Sequence, residues 1–121
     1  MPSEIVHQVE ATIQTTDATV TTICSYTLPD ACAALVRGYA AGRRPSNGDS
    51  TALWIERGVK RHGGGGATLI GSGPTTRNYA QIGSNLTLAT SGNDILLQVT
   101  GAAATTIEWM AILEIIPLYV P

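Results

Sequence analysis

The sequence predicts an all-β fold: a two-sheet antiparallel sandwich of about eight strands, jelly-roll-like, in a single domain spanning residues 1–121. Three observations predict it. Short stretches rich in Val, Ile, Thr, Tyr and Trp alternate with period two; Gly, Pro, Asn, Asp and Ser clusters interrupt them about every ten residues; and no segment carries convincing helical spacing. A chain of 121 residues is the size of one domain with one core. No solenoid repeat or linker divides it.

The first strand reads from Glu4 to Thr15, with Val9, Ala11 and Ile13 on one face and Glu10, Thr12 and Gln14 on the other. Thr19–Leu28 follows and closes on Pro29-Asp30, read as a two-residue hairpin turn into Cys32–Ala41. In that register Cys24 and Cys32 face opposite ways, so the expectation is two free, buried or half-buried thiols. Gly42–Asp49 is a loop by composition. Ser50–Arg61 is a long strand that groups Leu53, Ile55 and Val59 against Trp54, Glu56 and Lys60, with Arg57 breaking the apolar face. The run Gly63–Gly66 permits a sharp reversal into Ala67–Ile70, because glycine supplies positive φ.

Gly71–Gly83 reads as a long irregular loop carrying one brief strand. Leu86–Thr90 and Ile95–Thr100 form the clearest hairpin, joined by Ser91-Gly92-Asn93-Asp94. The last strand runs from Thr105 to about Ile116. It turns Ile107, Trp109, Ala111, Leu113 and Ile115 inward, yet Met110 and Ile112 make its other face apolar too, as in a strand covered on both sides. The apolar terminus, residues 115–121, also calls for cover: by the protein's own sheet, or by a neighbour against Leu118, Tyr119 and Val120.

Charged residues make up 13% of the chain, about half the usual share, so much of the surface is neutral and suited to being covered by partners. A net charge of −2 gives no general attraction to nucleic acid. No run approaches the ~18 apolar residues of a membrane span, so no membrane partner is expected. Met1-Pro2-Ser3-Glu4 leads into alternating residues and not into a secretory signal, which points to synthesis in the cytoplasm.

Catalytic and metal-binding signals are sparse. His7 and His62 lack Cys or His at ligand spacing, and the glycine run lacks the Gly-Lys-Ser/Thr ending of a phosphate loop. Glu108 and Glu114 share a strand face but lie about 20 Å apart. The reading is no enzyme, no catalytic residues, no metal and no cofactor. The one concentrated charge feature is basic: Arg43 and Arg44 in a loop, then Arg57, Lys60, Arg61 and His62 along and beyond the next strand. It reads either as a solvated hairpin stem or as a docking patch for acidic partners.

The segments Thr15-Thr16-Asp17-Ala18-Thr19-Val20-Thr21-Thr22-Ile23, Ser91-Gly92-Asn93-Asp94-Ile95-Leu96-Leu97-Gln98-Val99-Thr100-Gly101 and Thr105-Thr106-Ile107-Glu108-Trp109 together resemble β-sandwich modules of tailed-bacteriophage virions, among them capsid decoration (cement) proteins and head or tail fibres. The resemblance implies a virion component, often a homo-oligomer and frequently a trimer. Two functions are expected from it. The first is a decoration protein that binds the outer surface of the major capsid protein shell and stabilises it; the basic feature, the last strand and the apolar terminus read above supply its candidate capsid or subunit contacts, Arg43, Arg44, Lys60, Arg61, Met110, Ile112, Leu118, Tyr119 and Val120. The second is a fibre-tip module that binds a host receptor or glycan through the loops Gly42–Asp49 and Gly71–Gly83, with Tyr79 and Trp54 as stacking platforms.

Overall fold

The computed structural model describes residues 6–119, with side chains through Leu118; Val120 lies outside the described residues. Among these residues the fold is all-β, with eight strands: β1 His7–Thr15, β2 Val20–Thr27, β3 Cys32–Arg43, β4 Ser50–Arg61, β5 Thr68–Ala80, β6 Asn85–Ser91, β7 Asp94–Thr100 and β8 Ile107–Tyr119. They form two antiparallel sheets, one of five strands in the order β1-β8-β3-β4-β5 and one of three in the order β2-β7-β6. The two-sheet antiparallel sandwich is therefore as the sequence predicts. An eight-stranded jelly roll usually divides four and four. Here β4 stays beside β3 in a long hairpin and β6 pairs with β7, so the division is five and three.

Period-two alternation places the core. Ile107, Trp109, Leu113 and Ile115 of β8 turn inward as expected and meet Val36, Ile55 and Val59 of the same sheet and Ile95, Leu97 and Val99 from β7 opposite. The Trp109 indole Nε1 donates to Thr15 Oγ1 at 2.9 Å, so the largest core residue leaves no polar group unpaired. Gly42 is needed beside it: a Cβ there would sit 2.8 Å from the Trp109 ring.

Three local readings are corrected. Pro29-Asp30 does not turn a hairpin, because β2 and β3 belong to different sheets. The segment crosses the sandwich instead, with Leu28 still tied to the three-stranded sheet by its N–H donating to Asn93 O at 2.9 Å. Gly71–Gly83 is not a loop. Most of it is β5, interrupted where Glu56 pairs with Thr75 but Gly58 pairs with Ile70, so residues 71–74 bulge out opposite Arg57. Finally, β8 runs past Ile116 to Tyr119 and lies between β1 and β3, pairing Leu118 with Ala33 and Tyr119 with Cys32. The protein's own sheet thus engages the backbone of the apolar terminus.

Both thiols are free and buried. Ile23 is the extra residue of a bulge in β2, where the register shifts between Thr22 and Cys24. The bulge turns two successive side chains, Ile23 and Cys24, into the core. Burial pushes both thiols above their ordinary pKa.

Candidate functional site

The ladder of the five-stranded sheet sets which residues stand side by side on its outer face, away from the core. One row runs Thr12–Met110–Ala41–Ala52–Tyr79 across all five strands. The next is Glu10–Ile112–Tyr39–Trp54–Arg77, and the one before it is Gln14–Glu108–Arg43–Ser50. Alternation on β8, β3, β4 and β5 therefore delivers aromatic, apolar and charged side chains to one surface.

The first of these rows shapes the surface. Two alanines stand between a methionine and a tyrosine, and Met110 and Tyr79 remain 57% and 67% exposed. With methyl groups as floor and long side chains as walls, the sheet carries a trough of about 980 Å³ that reaches the Arg43 and Glu108 end of the face. A second hollow of about 350 Å³ adjoins it across Ala41 and Ala52 and is walled by Tyr39, Trp54 and Ile112. Together they span roughly 19 Å across the five strands and about 13 Å along them, from the strand spacing and rise.

Arg43 and Glu108 are register neighbours on β3 and β8, yet neither makes an ion pair or a side-chain hydrogen bond among the described residues. One row beyond Tyr39 the charges are instead mutually satisfied. Arg37 Nε donates to Glu56 Oε2 at 2.8 Å and Arg37 Nη1 to Glu114 Oε1 at 3.5 Å, which holds the Arg37 pKa above its ordinary value, with the Glu56 hydrogen bond as the larger cause. That bridge closes one end of the aromatic area, and the unpaired Arg43 and Glu108 stand at the other.

The basic feature read from the sequence divides. Arg43 ends β3 opposite Ser50, whereas Lys60 and Arg61 lie at the far end of the same hairpin, about 33 Å away. Arg61 is engaged internally: Nη1 donates to Leu28 O at 2.9 Å and Nε to Gly65 O at 2.8 Å. Arg57 turns to the inner face, where Nη2 donates to Gly71 O at 3.5 Å and Nε is buried without a partner. Arg44 is half-buried in its loop, its backbone closing a turn with Gly48 and Asp49. Of the nine predicted contact residues, Arg43, Met110 and Ile112 come together at the trough. Lys60 and Leu118 share a row at the other end of the same face, Lys60–Ala33–Leu118. Tyr119 ends β8 there.

Trp54 and Tyr79, read from sequence as stacking platforms, are diagonal neighbours on the same face, since Ala52 pairs with Tyr79 and Trp54 with Arg77. The sequence reading missed Ala41 and Ala52, which make the hollow, and Tyr39, which borders it. Their only sequence signal is alternation on two strands whose register was not yet known. No group of three His, Cys, Asp or Glu side chains placed to hold a metal ion occurs among the described residues.

No protein-family model matches the chain, and no curated protein matches it. Among solved structures it is similar to the tailspike protein of Acinetobacter baumannii phage AM24, at 14% identity and a TM-score of 0.45 over 92% of this chain. The chain spans 26% of the length of that tailspike.

Proposed function

We propose that the chain is a non-catalytic receptor-binding module of a phage particle, of the fibre-tip kind, which presents the outer face of its five-stranded sheet to the host surface. The observation that carries this reading is the trough with its adjoining hollow: a concavity walled by Tyr79 and Met110, continued past Trp54 and Tyr39, with a small-residue floor and unpaired charges at one end, on the outer face of the sheet. Its placement in a virion is supported by the resemblance of the Thr15–Ile23, Ser91–Gly101 and Thr105–Trp109 segments to phage β-sandwich modules. Function here means complementarity and buried surface, with homotrimerisation adding avidity where three tips engage at once.

Capsid decoration is the second reading. Exposed Met110 and Leu118, with half-buried Ile112 between them on the same face, and the low charge content favour it. The test is a direct competition. Purified protein is offered to host cells and to heads stripped of accessory proteins. Saturable attachment to cells with none to heads is the expected result. Stoichiometric return to heads with no attachment to cells would replace the receptor reading with decoration of the major capsid protein shell.

A further inference from the structure

The chemistry of the trough narrows what it takes. Tyr79, Trp54 and Tyr39 supply flat apolar surface, and each carries a polar tip at its rim. Around them stand an amide at Gln14, hydroxyls at Thr12 and Ser50, a carboxylate at Glu108 and a guanidinium at Arg43, all on exposed residues. A purely apolar protein surface laid on this face would strip water from those groups and leave them unpaired, at a cost for each. A ligand with apolar C–H faces edged all round by hydroxyls meets both requirements: the faces lie on the rings and the edges pair with the mixed donors and acceptors. Its footprint is short and broad, and its floor of methyl groups at Ala41 and Ala52 lets a ring lie flat close to the backbone.

We infer that the trough between Met110 and Tyr79, together with the hollow that adjoins it, binds a short oligosaccharide, with Tyr79 and Trp54 stacking on pyranose faces and Arg43, Glu108 and Gln14 bonding their hydroxyls. This rests on the receptor-binding reading and specifies its ligand. Binding is shallow and open to solvent, so single-site affinity is modest and attachment depends on several copies acting together.

The deciding experiment measures attachment of the wild-type protein to host cells before treatment, after mild periodate oxidation of surface sugars, and after protease shaving. The same assay is run on Tyr79→Ala, which removes a platform, and Ala52→Trp, which fills the floor. Both positions are solvent-facing, so melting temperatures close to wild type are expected and are checked first. Expected is loss of attachment after periodate, retention after protease, and at least tenfold weaker attachment by both variants. Saccharide released from the cells should also perturb tryptophan fluorescence in the wild type and much less in Trp54→Phe, since the only other tryptophan, Trp109, is buried beneath the trough with its indole in the core. Attachment that survives periodate and is lost to protease would overturn the saccharide inference while leaving receptor binding in place. Periodate-sensitive attachment that both variants retain would overturn the assignment to this trough. Failure to attach to untreated cells, with binding to stripped heads, would remove the receptor reading itself.

Discussion

At the scale of single residues, the core of this sandwich depends on a few polar accommodations. Thr15 is buried at the end of β1 because the indole of Trp109 needs an acceptor there, and the bond is 2.9 Å long. Thr15→Val keeps the shape and deletes the acceptor, so the indole N–H stays buried and unpaired. The expected loss is about 1–3 kcal/mol, measured as a lower urea midpoint at unchanged slope. The two thiols give a second prediction. Burial raises the pKa of Cys24 and Cys32, so the folded state favours the neutral thiol. The contribution is complete below the ordinary thiol value of 9.0 and is lost as pH rises through the raised folded values. Alkylation by iodoacetamide at pH 8 should therefore be slow and should accelerate only with unfolding. Rapid labelling of either cysteine in the folded protein would contradict its burial.

At the scale of elements, Arg61 holds two connections at once. It reaches the β2–β3 crossover at Leu28 O and the glycine turn at Gly65 O, while Asp30 Oδ2 accepts from Gly64 N at 2.9 Å. Arg61→Ala should cost about 1.5–3 kcal/mol, the range for hydrogen bonds to a charged group, whereas Arg43→Ala, with no internal partner, should leave the denaturation midpoint within error. Equal midpoints for the two variants would disprove the tether. Truncation after Ile116 likewise removes a piece of the monomer's own sheet, where residues 117–119 pair with β3. It should destabilise the isolated chain whatever the oligomeric state.

These elements also show which parts of the fold were legible in sequence. β8 was readable because Ile107, Trp109, Ala111, Leu113 and Ile115 alternate without a break, and the β6–β7 hairpin because Ser91-Gly92-Asn93-Asp94 has strong turn chemistry. β5 was not, because Gly71-Ser72-Gly73-Pro74 carries the composition of a loop and is in fact a bulge within a strand. Pro29-Asp30 favours a change of direction whether the chain returns in the same sheet or crosses to the other, so local chemistry alone does not separate the two. Trp54 and Met110 were visible as candidate contacts from alternation on their strands, and Arg43 and Tyr79 from their place in segments read as loops. The trough was not, since its floor is two alanines that become neighbours only through the β3–β4 register.

At the scale of the whole molecule, the five-and-three division makes the two outer surfaces unequal. The outer face of the three-stranded sheet carries residues such as Thr22, Ser25, Thr87 and Gln98, with Gln98 Nε2 donating to Thr22 Oγ1 at 3.3 Å. The five-stranded sheet turns outward the row Glu10–Ile112–Tyr39–Trp54–Arg77 and, beside it, the alanine-floored trough. A molecule polarised in this way has one face suited to solvent and one suited to contact, and charge placed on each should have opposite consequences. Ser25→Lys with Thr87→Lys adds two charges to the polar face, two strands apart and with no side-chain hydrogen bond lost, where water continues to solvate them, so stability and attachment should stay close to wild type. Ala52→Glu adds one carboxylate to the trough floor, where an occupant would have to desolvate it. Its melting temperature should match wild type, because the position faces solvent in the free protein, while attachment falls at least tenfold. If the pair of lysines abolished attachment and Ala52→Glu did not, the contact surface would lie on the three-stranded sheet and the polarity assigned to the sandwich would be reversed.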